Sequence, residues 1–172
     1  MIERKQYMEK LREFKDIDIV KIITGVRRCG KSTLLNMFVD ELLSLGINTS
    51  NIIKINFESI ENEPLKNYKA LYDHVKSLIN PKEKTYLFFD EMQEVEGWQK
   101  AVSSFQVDFN IDIYITGSNA HLLSSEFATH LSGRYVEIKM LPLSFKEFIK
   151  LYNFPLWASK EEMFELYIKF GG

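Results

Sequence analysis

An α/β fold, a parallel sheet covered by helices, follows from three features of the sequence. Short runs rich in Ile, Val, Phe and Tyr alternate with longer segments whose apolar residues recur at helical spacing. The runs are apolar nearly throughout, the pattern of strands buried on both faces. Between the first run and the first helical segment after it stands Gly25-x-x-x-x-Gly30-Lys31-Ser32, a glycine-punctuated loop joining strand to helix. With 172 residues, 45% of them hydrophobic, the chain can bury one sizeable core.

The elements follow in order. Residues 3–15 place Tyr7, Met8, Leu11 and Phe14 on one side of a helix, with a charged, solvated face opposite. Asp18 to Thr24 is the first strand. Ser32 to Leu45 is a helix with a stripe of Leu34, Leu35, Phe38, Leu42 and Leu45, stopped by Gly46. Asn51 to Phe57 is the second strand. Glu58 to Lys66, acidic and interrupted by Pro64, reads as a loop. Tyr68 to Ile79 is a helix ended by Asn80-Pro81. Lys84 to Asp90 is the third strand, Trp98 to Phe105 a helix, Asn110 to Thr116 the fourth strand, Ala120 to Leu131 a helix closing at Gly133, and Arg134 to Met140 the fifth strand. In the helical tail, Ser144/Glu147 and Ser159/Glu162 have the spacing of capping boxes, and Leu143 with Phe148 that of a hydrophobic staple. The chain thus divides into an amphipathic helix (1–16), a core (17–142) and a helical tail (143–172).

The loop carries the chemistry. Gly25 allows a sharp exit from the strand and Gly30 a close backbone approach. The N–H groups of the loop, with the dipole and unpaired N–H groups of the next helix, form a nest for anionic phosphates. This assigns nucleotide binding to Gly25, Val26, Arg27, Arg28, Cys29, Gly30, Lys31, Ser32 and Thr33. Lys31 supplies a point charge for the β- and γ-phosphates and Ser32 a hydroxyl for Mg2+. The third strand delivers Asp90 and Glu91 at its C-terminal end, where ligands bind in open α/β sheets. Asp90 suits the metal, and Glu91 the polarisation of an attacking water. Ser118 and Asn119, after the fourth strand, are candidates to sense the γ-phosphate, and Asn56 to hold Glu91 away from water. An N/T-K-x-D guanine-reading motif is absent from the sequence, which favours ATP over GTP.

Composition narrows the alternatives. A net charge of −2 gives no argument for nucleic acid or an anionic membrane. The single cysteine, Cys29, excludes an internal disulfide and, with the lack of any apolar run of membrane length, points to the cytoplasm. Cys29 beside Gly30 also raises an oxidative off-switch in a positive nest. His74, His121 and His130 lack partners at zinc-ligand spacing.

Four segments in order, GVRRCGKSTLL, YLFFDEMQ, ITGSN and LSGRYVEIKMLPLSFKEF, resemble a bacterial and archaeal family of AAA+-like P-loop ATPases. The resemblance implies a RecA/AAA+-like three-layer sandwich with strand order 5-1-4-3-2. It implies ATP and Mg2+ as ligands, with Lys31, Ser32, Asp90 and Glu91 in the roles above and Ser118–Asn119 as sensor. It also implies a role for Arg134 as a finger acting in trans on a neighbour's γ-phosphate in a homo-oligomer. Nucleic-acid remodelling is open to such a core by kinship, but no basic stripe supports it. The family continues past a Gly-Gly pair like Gly171-Gly172 into a lid and a nuclease-like domain, so a shortened product with slow turnover is expected. A nucleotide-dependent switch with little hydrolysis is the alternative to an active ATPase.

Overall fold

The computed structural model describes residues 4–118, 133–152, 154 and 159–170. Its described elements, in chain order, are α1 (Lys5–Glu13), β1 (Val20–Gly25), α2 (Lys31–Ser44), β2 (Ile52–Asn56), α3 (Tyr68–Leu78), β3 (Thr85–Asp90), α4 (Trp98–Asp108), β4 (Ile111–Gly117), β5 (Tyr135–Met140), α5 (Phe145–Tyr152) and α6 (Lys160–Phe170). The helix expected at 120–131 lies outside the described residues, as do Asn119, His121 and His130.

The five strands pair in parallel in the order β2-β3-β4-β1-β5. This is the 5-1-4-3-2 order the family resemblance implies. Because side chains alternate across a strand, the sheet divides its apolar residues between two layers. Val20, Ile22, Leu87, Phe89, Ile113 and Ile115 meet α3 and α4 on one face. Ile23, Phe88, Tyr114 and Ile138 meet α1 and α2 on the other. Helix, sheet and helix make three layers. The central strands β1 and β3 are buried along their whole length, whereas the edge strands β2 and β5 alternate in exposure.

Two local departures from the sequence reading have simple causes. The segment expected as a loop contains a 3-10 helix, Ile60–Leu65, whose short turns accommodate Pro64. It is tied back to β2 by Asn62, whose side-chain amide donates to the Asn56 carbonyl at 2.9 Å. The first strand begins at Val20, two residues late, because Asp16 turns the chain with φ 64°. Val20 N–H then donates to the Arg134 carbonyl at 2.9 Å and starts the pairing with β5.

Two charged residues within the apolar strands form a buried ion pair. Lys21 and Asp112 are both buried and bonded to each other, and Asp112 also accepts from Tyr114 Oη at 2.9 Å and Asp16 N–H at 2.8 Å. Burial pulls the Lys21 ammonium down from its ordinary range, and Asp112 works against that shift. This cluster lies at the N-terminal end of the sheet, away from the loop after β1.

Both capping boxes form. Ser144 Oγ accepts from Glu147 N–H at 3.3 Å while Glu147 Oε2 accepts from Ser144 N–H at 2.7 Å, and Ser159 with Glu162 repeats the exchange.

Candidate nucleotide site

The loop from Val26 to Gly30 joins β1 to α2 at the C-terminal edge of the sheet. A Cβ on Gly25 would stand 2.5 Å from the Met140 carbonyl oxygen and 2.7 Å from Cys29 Sγ, so only glycine lets β1 turn under the end of β5. Gly30 is the N-cap of α2 in the left-handed region, φ 99°, and no side chain caps that helix. Its first turn, which begins with Lys31, also lacks an acidic residue. The first-turn N–H groups have no partner within the helix and face the loop's concavity with the positive end of a 14-residue helix behind them. That is an anion seat.

Lys31 is 4% exposed, and its Nζ donates to the carbonyls of Gly25 and Val26, each at 3.3 Å. It stands 3.5 Å from Glu91 Oε1. The β3–β4 register, with Phe89 opposite Ile115, sets Asp90 beside Thr116. Thr116 is fully buried; its hydroxyl donates to Asp90 Oδ1 and accepts from Glu91 N–H at 3.0 Å. Glu91 takes a left-handed conformation, φ 55° and ψ 51°, a cost of about 1–2 kcal/mol for a residue with a Cβ. Its Oε2 accepts from Gln93 Nε2 at 2.6 Å.

Lys31 and Glu91 line one cleft of about 420 Å³ that runs past Ser32, Thr33 and Glu58, with Asp90 and Thr116 buried behind Glu91. An adjoining cavity shares Lys31 and Glu91 with it and is bordered by Ser118, Gln93 and Glu94. Ser32 and Thr33 are exposed to the cleft, and Arg27, itself exposed, pairs with Glu58 at 3.0 Å across it. A second, largely apolar recess of about 220 Å³ lies on the other side of the loop, against Thr33, Leu34, Met37, Met140 and Leu143.

Other sequence candidates fall elsewhere. Arg134 is exposed at the start of β5, beside the start of β1. Five strand residues, about 17 Å at 3.3 Å each, separate that end of the β1–β5 pair from Gly25, so Arg134 does not line its own chain's cleft. Asn56 does not hold Glu91: its Oδ1 accepts from Glu58 N–H at 2.9 Å, closing a local turn, and Gln93 takes the place next to Glu91. Cys29 is buried in the layer of α1 and α2, which removes the access an oxidative switch requires.

Sequence reasoning missed Thr116, Gln93 and Arg4. The charged face of residues 3–15 predicts a solvated Arg4, yet it is 7% exposed. Its guanidinium donates to the carbonyls of Cys29 at 3.3 Å, Leu141 at 2.7 Å and Pro142 at 3.2 Å, and to Glu147 Oε1 at 3.1 Å. One side chain therefore ties the N-terminal segment, the phosphate loop and the base of α5 together. Burial pushes the Glu147 carboxyl up, but the Ser144 N–H and hydroxyl, with Arg4, outweigh it and hold that group below the usual carboxylate range.

The profile of the AAA domain family matches residues 18–149. The chain belongs to that family. Its AAA+-like P-loop ATPase fold is shared with AMPPCP-bound DnaA from Aquifex aeolicus, at a TM-score of 0.60 and 18% identity over 94% of this chain and 53% of that one. It is likewise similar to a DNA polymerase III gamma subunit-related protein from Thermotoga maritima, TM-score 0.58 and 13% identity, over 84% of this chain and 49% of the other. Among curated proteins, this AAA-domain chain is 48% identical to an uncharacterized protein of Haemophilus influenzae, over 100% of this chain and 44% of that protein. It is 37% identical to an uncharacterized protein of Methanocaldococcus jannaschii, over 92% of this chain and 37% of the relative. The chain thus spans less than half the length of these two relatives. No described helix is long and apolar enough to cross a membrane.

Proposed function

We propose that this AAA-domain chain binds ATP with Mg2+ and hydrolyses its γ-phosphate. The observation that carries this reading is the meeting of Lys31 and Glu91 on one cleft at the uncapped N-terminus of α2, with Asp90 buried next to Glu91 and bonded to Thr116. A triphosphate laid along the loop would receive the N–H groups of Gly30 to Thr33. Its γ-phosphate would draw Lys31 away from the carbonyls of Gly25 and Val26. The apolar recess beside Met37 and Met140 is of a size and character to take the adenine ring.

The residues present also fit magnesium. Among the described residues no group of three or more His, Cys, Asp or Glu side chains forms a cage. Mg2+ keeps several waters and takes one or two protein ligands with substrate phosphates, for which the Ser32 hydroxyl and the Asp90 carboxylate suffice. When bound, the ion neutralises charge on the phosphate oxygens. Thr116 keeps Asp90 oriented, and in this reading Glu91 would accept a proton from an attacking water.

The test is phosphate release and ATP binding on three proteins. Lys31→Ala should lose both, with affinity falling at least about tenfold. Glu91→Gln should keep binding while release falls about 10²–10⁴-fold. The second reading, a nucleotide-dependent switch, draws on the Lys31–Glu91 pair, which occupies both groups at once. Tight ATP binding by the wild type with no phosphate release at any protein concentration would favour it over the ATPase.

A further inference from the structure

Glu91 is held by a residue two positions further along its own turn. We infer that Gln93 is a positioning residue for Glu91, fixing one carboxylate oxygen so that the other is presented to the water that attacks the γ-phosphate. The inference rests on the ATPase reading above.

The two oxygens of Glu91 have different partners. Oε2 accepts from Gln93 Nε2 at 2.6 Å, a short charge-assisted bond, and Oε1 faces Lys31 at 3.5 Å. Gln93 is anchored for this purpose by its neighbours. It is the middle residue of a 3-10 turn, Met92–Glu94, flanked by Met92 and Val95, both buried in the apolar layer under α3 and α4. The turn is in turn fixed by Glu91 N–H on Thr116. Gln93 Oε1 is buried and has no hydrogen-bond partner among the described residues. The orientation that leaves this oxygen unpaired is therefore set by the bond its nitrogen makes, since the opposite orientation would aim two acceptors at each other.

A sequence of events follows. With the cleft free of phosphate, Gln93 bonds one oxygen of Glu91 and Lys31 faces the other. When a γ-phosphate draws Lys31 to itself, Oε1 is released while Oε2 stays on Gln93. Water oxygen then bonds to the γ-phosphorus and passes a proton to Glu91 Oε1. The bond from that phosphorus to the bridging oxygen breaks, and its electron pair leaves with the β-phosphate of ADP; the proton later passes to the phosphate product. Gln93 touches neither water nor phosphate in this scheme. It limits the rotation of the Glu91 side chain once Lys31 has moved to the phosphate.

Gln93→Leu tests this, because leucine keeps the volume and removes both the donor and the unpaired oxygen. We expect a melting temperature equal to or above that of the wild type and an unchanged affinity for AMPPCP. The kcat should fall about 10- to 100-fold with KM within about twofold. Affinity for ADP with fluoroaluminate, which needs an ordered water and base, should fall in parallel. In a Glu91→Gln background the same substitution should cost nothing further, the signature of one residue acting through the other. A full additional loss in that background, or a kcat unchanged in the wild-type background, overturns the inference while leaving the ATPase reading intact. A wild type that neither turns over ATP nor binds ADP–fluoroaluminate rejects the ATPase reading itself, and the positioning role with it.

Discussion

Thr116 shows how much one hydroxyl can organise. It is buried beside two strands that both end at the cleft, and it serves an acceptor on Asp90 and a donor on Glu91 at once. Thr116→Val keeps the shape and deletes the hydroxyl, leaving two buried polar groups short of a partner, at about 1–3 kcal/mol each. Urea unfolding should show a loss of about 2–4 kcal/mol. Phosphate release should fall as well, through the lost orientation of Asp90. Unchanged stability would mean that Asp90 and Glu91 find other partners. The residue is a β-branched member of an apolar run, and in the sequence it reads as a strand former. Only the pairing of Phe89 with Ile115 reveals what stands next to it.

At the scale of elements, the phosphate loop is held from behind. α1 packs Tyr7, Met8 and Leu11 onto the layer of α2, and Tyr7 Oη accepts from Leu141 N–H at 3.1 Å. Arg4, stacked 4.7 Å over the Tyr7 ring, adds the Cys29 carbonyl of the loop and Glu147 of α5. Arg4→Met retains the aliphatic stem and removes every donor. Its expected cost is about 2–4 kcal/mol in chemical denaturation, together with weaker AMPPCP binding, because the loop loses a tether. The contribution routed through Glu147 has a sign that can be worked out. Its folded carboxyl titrates below the ordinary range of a glutamate, so the stabilisation is complete above that range and disappears as pH falls through the folded value. The gap between wild type and variant should therefore narrow on acidification; a gap that widens would contradict the assignment.

At the scale of the whole molecule, the sheet sends Lys31, Asp90 and Glu91 to one edge and Arg134 to the other. An arginine on the far side of the sheet can meet a γ-phosphate only when a second copy presents it. Such assembly would make specific activity rise with protein concentration. Arg134→Ala should then lower release about 10³-fold or more without altering ATP affinity. A strictly linear dependence on concentration, with Arg134→Ala as active as the wild type, would remove the finger from the mechanism.

Much of this was legible in the chain because local chemistry and global fold agree. Gly25, Gly30 and Lys31 announce a loop whose geometry follows from backbone freedom and helix polarity, both local properties. Continuous apolar runs between helical segments announce parallel strands, since a strand covered on both faces has no polar side to show. Asp90 and Glu91 were visible as acids at the end of such a run. Other features depended on residues distant in sequence. Arg4 meets Leu141 and Glu147 over separations of more than a hundred residues, so its burial could not be read from the charged helix around it. The sequence offers Asn56 as the neighbour of Glu91; packing gives Asn56 to its own turn and Gln93 to the carboxylate. The sequence by itself determined the phosphate loop, the sheet class and the acids, because each is encoded in a contiguous stretch. The tertiary structure decided the partners of Thr116, Gln93, Arg4 and the Lys21–Asp112 pair, because hydrogen bonds are chosen by which side chains the sheet register and the packed layers bring within three ångströms or so.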